Sequence, residues 1–105
     1  MNAPFRPQDT ALVLIDHQIG TMQLIKNLPL DRVKKHSLAL AKAAGILNMP
    51  VVLTSSQEDR AQGPLLPELQ ALLPKAYAAR VKRRGMVNAW ADPAFRDAVL
   101  AVGKR

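Results

Sequence analysis

Three groups of residues in this sequence have side chains and positions suited to chemistry. Asp16 directly follows the apolar run Ala11-Leu12-Val13-Leu14-Ile15. A carboxylate at the end of a buried strand is a candidate general base, because burial and neighbouring charges tune its proton affinity. The simpler role open to Asp16 is to cap the turn after the strand. Ser55 and Ser56 close a second apolar run that starts at Val51. They lack the Gly-x-Ser-x-Gly elbow, so nothing supports a serine hydrolase. The run Arg80-Val81-Lys82-Arg83-Arg84 gathers cations in one place. Such a cluster attracts nucleic acid, acidic lipid or an anionic substrate, or is simply a solvated turn.

Other candidates carry less. His17 adjoins Asp16, but neighbouring strand residues point to opposite faces, so the two need not form a dyad. His36 stands alone near the apolar border of a helix and reads as a packed or surface residue. Trp90, the only tryptophan, follows Asn88 and Ala89. It suits either a pocket wall or a gap between helix and sheet. No cluster has zinc-ligand spacing, and the scattered glycines form no phosphate-cradling loop, so no metal or cofactor is expected. The absence of cysteine excludes disulfides, thiolate metal sites and a cysteine nucleophile within these residues.

The elements that must position these residues alternate between strand and helix. Residues 11–15 are continuously apolar and predict a strand buried on both faces, as in a parallel sheet. A short helix is expected within Gly20 to Asn27, ended by Pro29. Residues 31–47 predict the longest helix, with Val33, Ser37, Leu40, Ala44 and Leu47 on one stripe. Leu38 falls outside that stripe and needs a neighbouring element or subunit to cover it. Asn48 suits a left-handed cap, and Pro50 blocks continuation. Residues 51–54 predict a second, β-branched strand, and residues 55–63 a polar loop. Residues 64–73 read as a helix with Pro67 in its first turn, and residues 77–81 as extended. Asp92 as N-cap and Pro93 at the first helical position start a last helix that Gly103 stops.

Size and composition bound the answer. A chain of 105 residues fits one domain, and 49% apolar content argues against disorder. The net charge of +7 sits mostly in residues 75–105. The first ten residues hold two prolines and no apolar run, so they are no signal peptide, and residues 11–15 are too few to span a membrane. A cytoplasmic protein without membrane contact is the default expectation. Two parallel strands do not make a stable sheet covered on both faces, and the last helix calls for a further strand. The pattern therefore predicts an α/β fold seen incompletely: a three-layer, Rossmann-like parallel sheet with flanking helices. Residues 1–10 form an N-terminal arm, and residues 11–105 the N-terminal portion of one domain that continues past Arg105.

The segments together resemble a known family. Ala11-Leu12-Val13-Leu14-Ile15-Asp16-His17-Gln18 is similar to the opening strand of isochorismatase-like cysteine hydrolases, which ends in the catalytic Asp and is followed closely by Gln. Met49-Pro50-Val51-Val52-Leu53-Thr54-Ser55-Ser56 looks like the family's second strand. Gly63-Pro64-Leu65-Leu66-Pro67-Glu68-Leu69 and Arg83-Arg84-Gly85-Met86-Val87-Asn88-Ala89-Trp90 resemble segments of one of its branches. The resemblance covers essentially the whole chain after Thr10. It implies an isochorismatase-like fold and hydrolysis of a small molecule at an amide, ester or related bond. A cysteine thiolate attacks, an Asp accepts its proton, and a Lys or Arg stabilises the charged pair.

By position, the resemblance makes Asp16 the base and Arg83 the cation, with Arg84 the alternative. It places Gln18, Ser55, Asn88 and Trp90 at the substrate pocket. The family's cysteine and its oxyanion-hole donors lie after a further strand, which this sequence does not contain. The expectation is therefore a truncated domain that turns nothing over by itself. The partners expected are a small-molecule substrate and further copies of the chain, without a membrane. The competing reading is a small basic module that binds nucleic acid or protein through Arg80 to Arg84. Against nucleic acid, the few aromatic residues read as core.

Overall fold

The computed structural model describes residues 6–25, 29–84 and 88–103. Its centre is a three-stranded, all-parallel sheet in the order β1 (Leu12–Ile15), β2 (Val51–Ser56), β3 (Val81–Arg83). Leu12 to Ile15 pair with Val51 to Thr54, and Thr54 to Ser56 pair with Val81 to Arg83. The offset matters. β3 meets only the last half of β2, so Arg83 lies beside Ser56 at the carboxyl end of the sheet, where open α/β folds gather ligands.

Side-chain alternation divides the molecule into three layers. Leu14 and Leu53 point into the larger core with Met22, Ala41, Leu65, Leu66, Leu69 and Leu73. That face is covered by α1 (Ile19–Met22), α2 (Leu30–Ile46), α3 (Pro67–Leu72) and α4 (Pro74–Ala78). Val52 faces the other way, against Phe95 of α5 (Pro93–Val102) and Ala89, with Val13, Val81, Val99 and Val102 packed around them.

The expected strand and helix types are present, with two shifts. The first concerns α2. Its buried residues are Ala41 and Ala44, whereas Leu40 and Leu47 are 58% and 52% exposed. The inward face is rotated toward Leu38, which packs on the larger core. An alanine-rich helix can approach the sheet closely on its small side, so leucines at its margins are left outside. The second concerns β3. Residues 77–81 were expected to be extended, but residues 74–78 form α4 and the strand begins at Val81. The first short helix ends at Met22, and the Lys26 and Asn27 of its expected range lie outside the described residues.

The helix ends follow the sequence closely. Asn48 has φ 55°, and Met49 N–H donates to Ala44 O at 2.9 Å while Asn48 N–H donates to Gly45 O, a Schellman closure of α2. The Asp92 side chain accepts from Phe95 N–H at 3.1 Å, and Gly103 terminates α5 at φ 70°. No helix among the described residues is long and apolar enough to cross a membrane.

The sequence pattern led to an expectation of two parallel strands. The structure has three, and the apolar side of α5 is already packed against Val52, Val13 and Val81. With a radius of gyration of 13.9 Å, the chain is as compact as a domain of its length should be.

Candidate functional site

The carboxyl edge of the sheet brings together Asp16 just past β1, Thr54 within β2 and Arg83 at the end of β3. At the end of β1, Asp16 takes a left-handed backbone at φ 63°, a conformation Asp tolerates better than most residues. Its N–H still donates to Thr54 O at 3.0 Å, so the turn is held against β2. At the end of β3, the Arg83 side chain is fully buried and runs back over the end of β2. Its Nε donates to Thr54 Oγ1 at 3.1 Å, and its Nη2 donates to Asp16 Oδ1. Thr54 in turn donates its hydroxyl hydrogen to Val81 O at 2.8 Å. Arg can serve Thr54 and Asp16 at once because its guanidinium spreads its donors over three nitrogens in a rigid plane, whereas all the donors of a Lys ammonium sit on one atom.

The two ends of this ion pair differ in access. The Arg83 side chain is 0% exposed and that of Asp16 is 31% exposed. A buried cation therefore anchors a carboxylate whose other side reaches solvent, the arrangement a proton acceptor needs. Arg84, the alternative cation, is exposed and does not take this position.

Ser55 is buried, and its hydroxyl donates to Glu58 Oε2. Glu58 also receives Arg80 Nε at 2.9 Å and Nη2 at 3.2 Å. Burial pushes the Glu58 carboxyl up, but the hydrogen bonds from Arg80 and Ser55 and the charges of Arg80 and Lys82 outweigh it. The net result lies below the ordinary value. The Arg80 guanidinium is raised, chiefly by its hydrogen bond to Glu58. Arg80 also stacks over Tyr77, 4.3 Å from the ring centroid. The basic run is thus not one solvated face. Arg80 and Arg83 are committed inward, and Lys82 and Arg84 remain outside.

Gln18 is completely buried and ties two loops together. Its Nε2 donates to Ser56 O at 2.8 Å and to Gly63 O at 2.6 Å, and its Oε1 accepts from Ser56 N–H at 3.0 Å. Around it, residues 17–20 run antiparallel to residues 62–66 through Leu66 N–H to His17 O, Ile19 N–H to Pro64 O and Gly20 N–H to Gln62 O. Gly20 is required there, because a Cβ would lie 1.9 Å from Ala61 O.

Asn88 and Trp90 occupy a different place. Asn88 Oδ1 accepts from Trp90 N–H at 3.2 Å, and Trp90 meets Phe95 edge to face at 6.4 Å. With Val13, Ile15 and Val99 they line an apolar cavity of about 420 Å³ on the α5 side, whose wall includes neither Asp16 nor Arg83. Gly85, Met86 and Val87, which link Arg84 to Asn88 in the motif, lie outside the described residues. The sequence reading missed Thr54 and Glu58, and held Arg80 only as a member of the basic run, without its partner. A threonine directly after the apolar run Val51-Val52-Leu53 was the available signal for Thr54. Glu58 and Arg80 are 22 positions apart and gave none.

His17 belongs to the edge as well. Burial lowers its pKa, and this outweighs a hydrogen bond with the Ile15 backbone and the charge of Asp16, both of which raise it. Its Nδ1 is buried without a hydrogen-bond partner among the described residues. A histidine with a lowered folded-state pKa binds fewer protons than in the unfolded chain. Its contribution is therefore complete above pH 6.5 and is lost as pH falls through the folded-state value. Chemical denaturation across this range should show stability declining below pH 6.5, and His17→Phe should flatten that slope. An unchanged slope in the variant would assign the decline to other groups.

No family model matches the chain. The probable hydrolase YcaC of Escherichia coli K12 is 40% identical over 97 residues, which are 92% of this chain and 46% of that protein. The crystal structure of the E. coli YcaC gene product, an octameric hydrolase of unknown specificity, superposes with a TM-score of 0.89 at 39% identity, over 98% of this chain and 51% of that one. YcaC from Pseudomonas aeruginosa, solved with hexane-2,5-diol and covalent acrylamide, gives a TM-score of 0.89 at 40% identity, over 95% of this chain and 48% of that one. The chain spans about half the length of these relatives. It is similar to YcaC hydrolases, and this corrects the expectation of a truncated isochorismatase-like cysteine hydrolase. The relatives found are YcaC proteins, and the described residues form a compact small domain.

Proposed function

We propose that the chain contributes the carboxylate–guanidinium part of a hydrolase site for a small molecule with an amide, ester or related bond. One observation carries the reading: Asp16, at the end of β1, is gripped from behind by the buried Arg83 while its other side stays open to solvent. In this arrangement Asp16 accepts a proton from the attacking group. Arg83 and Thr54 fix where its oxygens lie, so that no reorganisation is needed during the transfer. The similarity to YcaC hydrolases supports the reaction class. The octameric E. coli relative supports self-association of this chain.

Because the sequence contains no cysteine, and Ser55 donates its hydroxyl to Glu58, we expect the chain by itself to show no turnover. The test is a panel of small amides and esters titrated into the isotopically labelled chain, with product assayed in parallel. Backbone signals of Asp16, Thr54 and Arg83 are expected to shift, with no product formed. Shifts confined to other parts of the molecule would sink the site. Product formation abolished by Asp16→Asn in a still-folded variant would overturn the expected inactivity and leave the site standing.

A further inference from the structure

A second cavity opens at the same edge of the sheet, beyond Arg83. It has a volume of about 550 Å³ and is lined by residues 57–60, which follow β2, and by residues 82–84, at the end of β3. The volume is that of a small-molecule site, but the lining is polar and charged, where such sites are commonly apolar. Its ligand must therefore be held by charge more than by burial.

The signs of the lining charges decide which ligand that is. Two carboxylates face the cavity, Glu58 and Asp59. The charge of Glu58 is matched by the two-pronged hydrogen bond from Arg80, and the charge of Lys82 lies close enough to act on it as well. The positive charge of Arg83 is matched by Asp16. What remains is Arg60, Lys82 and Arg84 against Asp59 alone. These three cations are exposed, and none has an ion-pair partner among the described residues. Like charges gathered in one recess repel one another when it is empty, and an anion relieves that repulsion.

The wall is also held in place before any ligand arrives. Gln57 takes a left-handed backbone at φ 47° and donates its N–H to Arg83 O at 3.0 Å. Arg60 N–H donates to Gln57 O at 2.9 Å, and Gln62 Nε2 donates to Gln57 Oε1 at 3.1 Å. The turn that carries Asp59 and Arg60 is thus hydrogen-bonded to the strand that carries Lys82 and leads into Arg84. A fixed backbone wall keeps the three cations within reach of one ligand, so that charge-assisted hydrogen bonds to an oxyanion cost only the ordering of the side chains.

We infer that this cavity, through Arg60, Lys82 and Arg84, binds the carboxylate or phosphate group of a small-molecule ligand. The inference deepens the proposed function and rests on it in one respect, namely that the ligand is the substrate. Arg83 lines the cavity and also holds Asp16, so the cavity and the carboxylate share one residue, although Asp16 itself is not part of the cavity wall.

The experiment is calorimetric titration at low ionic strength with inorganic phosphate, succinate and neutral acetamide. It is run on the unaltered chain, on Lys82→Gln/Arg84→Gln, and on Arg32→Gln/Lys42→Gln as a control that removes two exposed cations elsewhere. The unaltered chain and the control should bind phosphate or succinate saturably. The Lys82→Gln/Arg84→Gln chain should bind at least about tenfold more weakly, because two charge-assisted contacts are gone. Phosphate binding better than succinate would identify a phosphate-bearing ligand, and the reverse a carboxylate. Absent anion binding, equal binding in the two variants, or binding only of an oligonucleotide through the same two cations would each overturn the inference. Since Lys82 and Arg84 do not touch Asp16, such a failure leaves the amide and ester shifts at Asp16 intact, and so is distinguishable from failure of the proposed function.

Discussion

Asp16→Asn should destabilise the chain by about 2–3 kcal/mol and lower its melting temperature by roughly 10 °C or more. The cause is not a lost surface ion pair, which would contribute little. The Arg83 side chain is fully buried, and the Asp16 carboxylate is the negative charge hydrogen-bonded to it. Removing the charge leaves the guanidinium buried with less of its desolvation cost offset. The figure is set at the low end of the range for buried pairs because Asp16 is itself part-exposed. Asn keeps the shape and tolerates the left-handed backbone, so the change isolates the charge. The double variant Asp16→Asn/Arg83→Met removes both charges and should be more stable than Asp16→Asn alone. Denaturant melts of the unaltered chain, of Asp16→Asn, of Arg83→Met and of the double variant measure this directly. A double variant that loses the full sum of the two single losses would show that the pair is not coupled.

Gln18→Leu should cost about 3 kcal/mol, although it exchanges a buried polar side chain for an apolar one of similar size. The Gln18 amide satisfies Ser56 N–H, Ser56 O and Gly63 O at once. Leucine satisfies none, and each buried backbone group left without a partner costs about 1–3 kcal/mol. The local consequence is more specific than the loss of stability. Gly63 and the segment paired with residues 17–20 should loosen, which hydrogen exchange at Ile19 and Gly20 would show, since their N–H groups donate to Pro64 O and Gln62 O. Unchanged protection at both residues in a destabilised variant would mean that Gln18 does not hold this junction.

The fate of the basic run shows how a linear pattern divides in three dimensions. In the sequence, Arg80, Lys82, Arg83 and Arg84 are one block of positive charge. In β3 and its approaches they separate into three environments. Arg80 is bound to Glu58 across a loop, Arg83 is buried against Thr54 and Asp16, and Lys82 and Arg84 line an open recess. Strand alternation is the physical reason for part of this, because Lys82 and Arg83 must point to opposite faces. A nucleic-acid surface built on the whole block is not compatible with two of its four cations being committed inward.

From the sequence alone, local structure was largely determined. Asn48 and Gly103 could end helices because their backbones accept a left-handed turn, and Asp92 with Pro93 could start one because the capping bond is made within four residues. The alternating strands and helices fixed the α/β class, and a carboxylate at the end of an apolar strand marked Asp16. Each of these signals lies within a few residues, where propensity and capping geometry act. Which face of α2 turned inward, that Thr54 would bridge Arg83 to Asp16, and that Glu58 would absorb Arg80 depended on strand order and on the offset of β3 along β2. Those contacts join residues between 22 and 67 positions apart. No local preference encodes them, because they exist only once the sheet has brought three strand ends to the same edge.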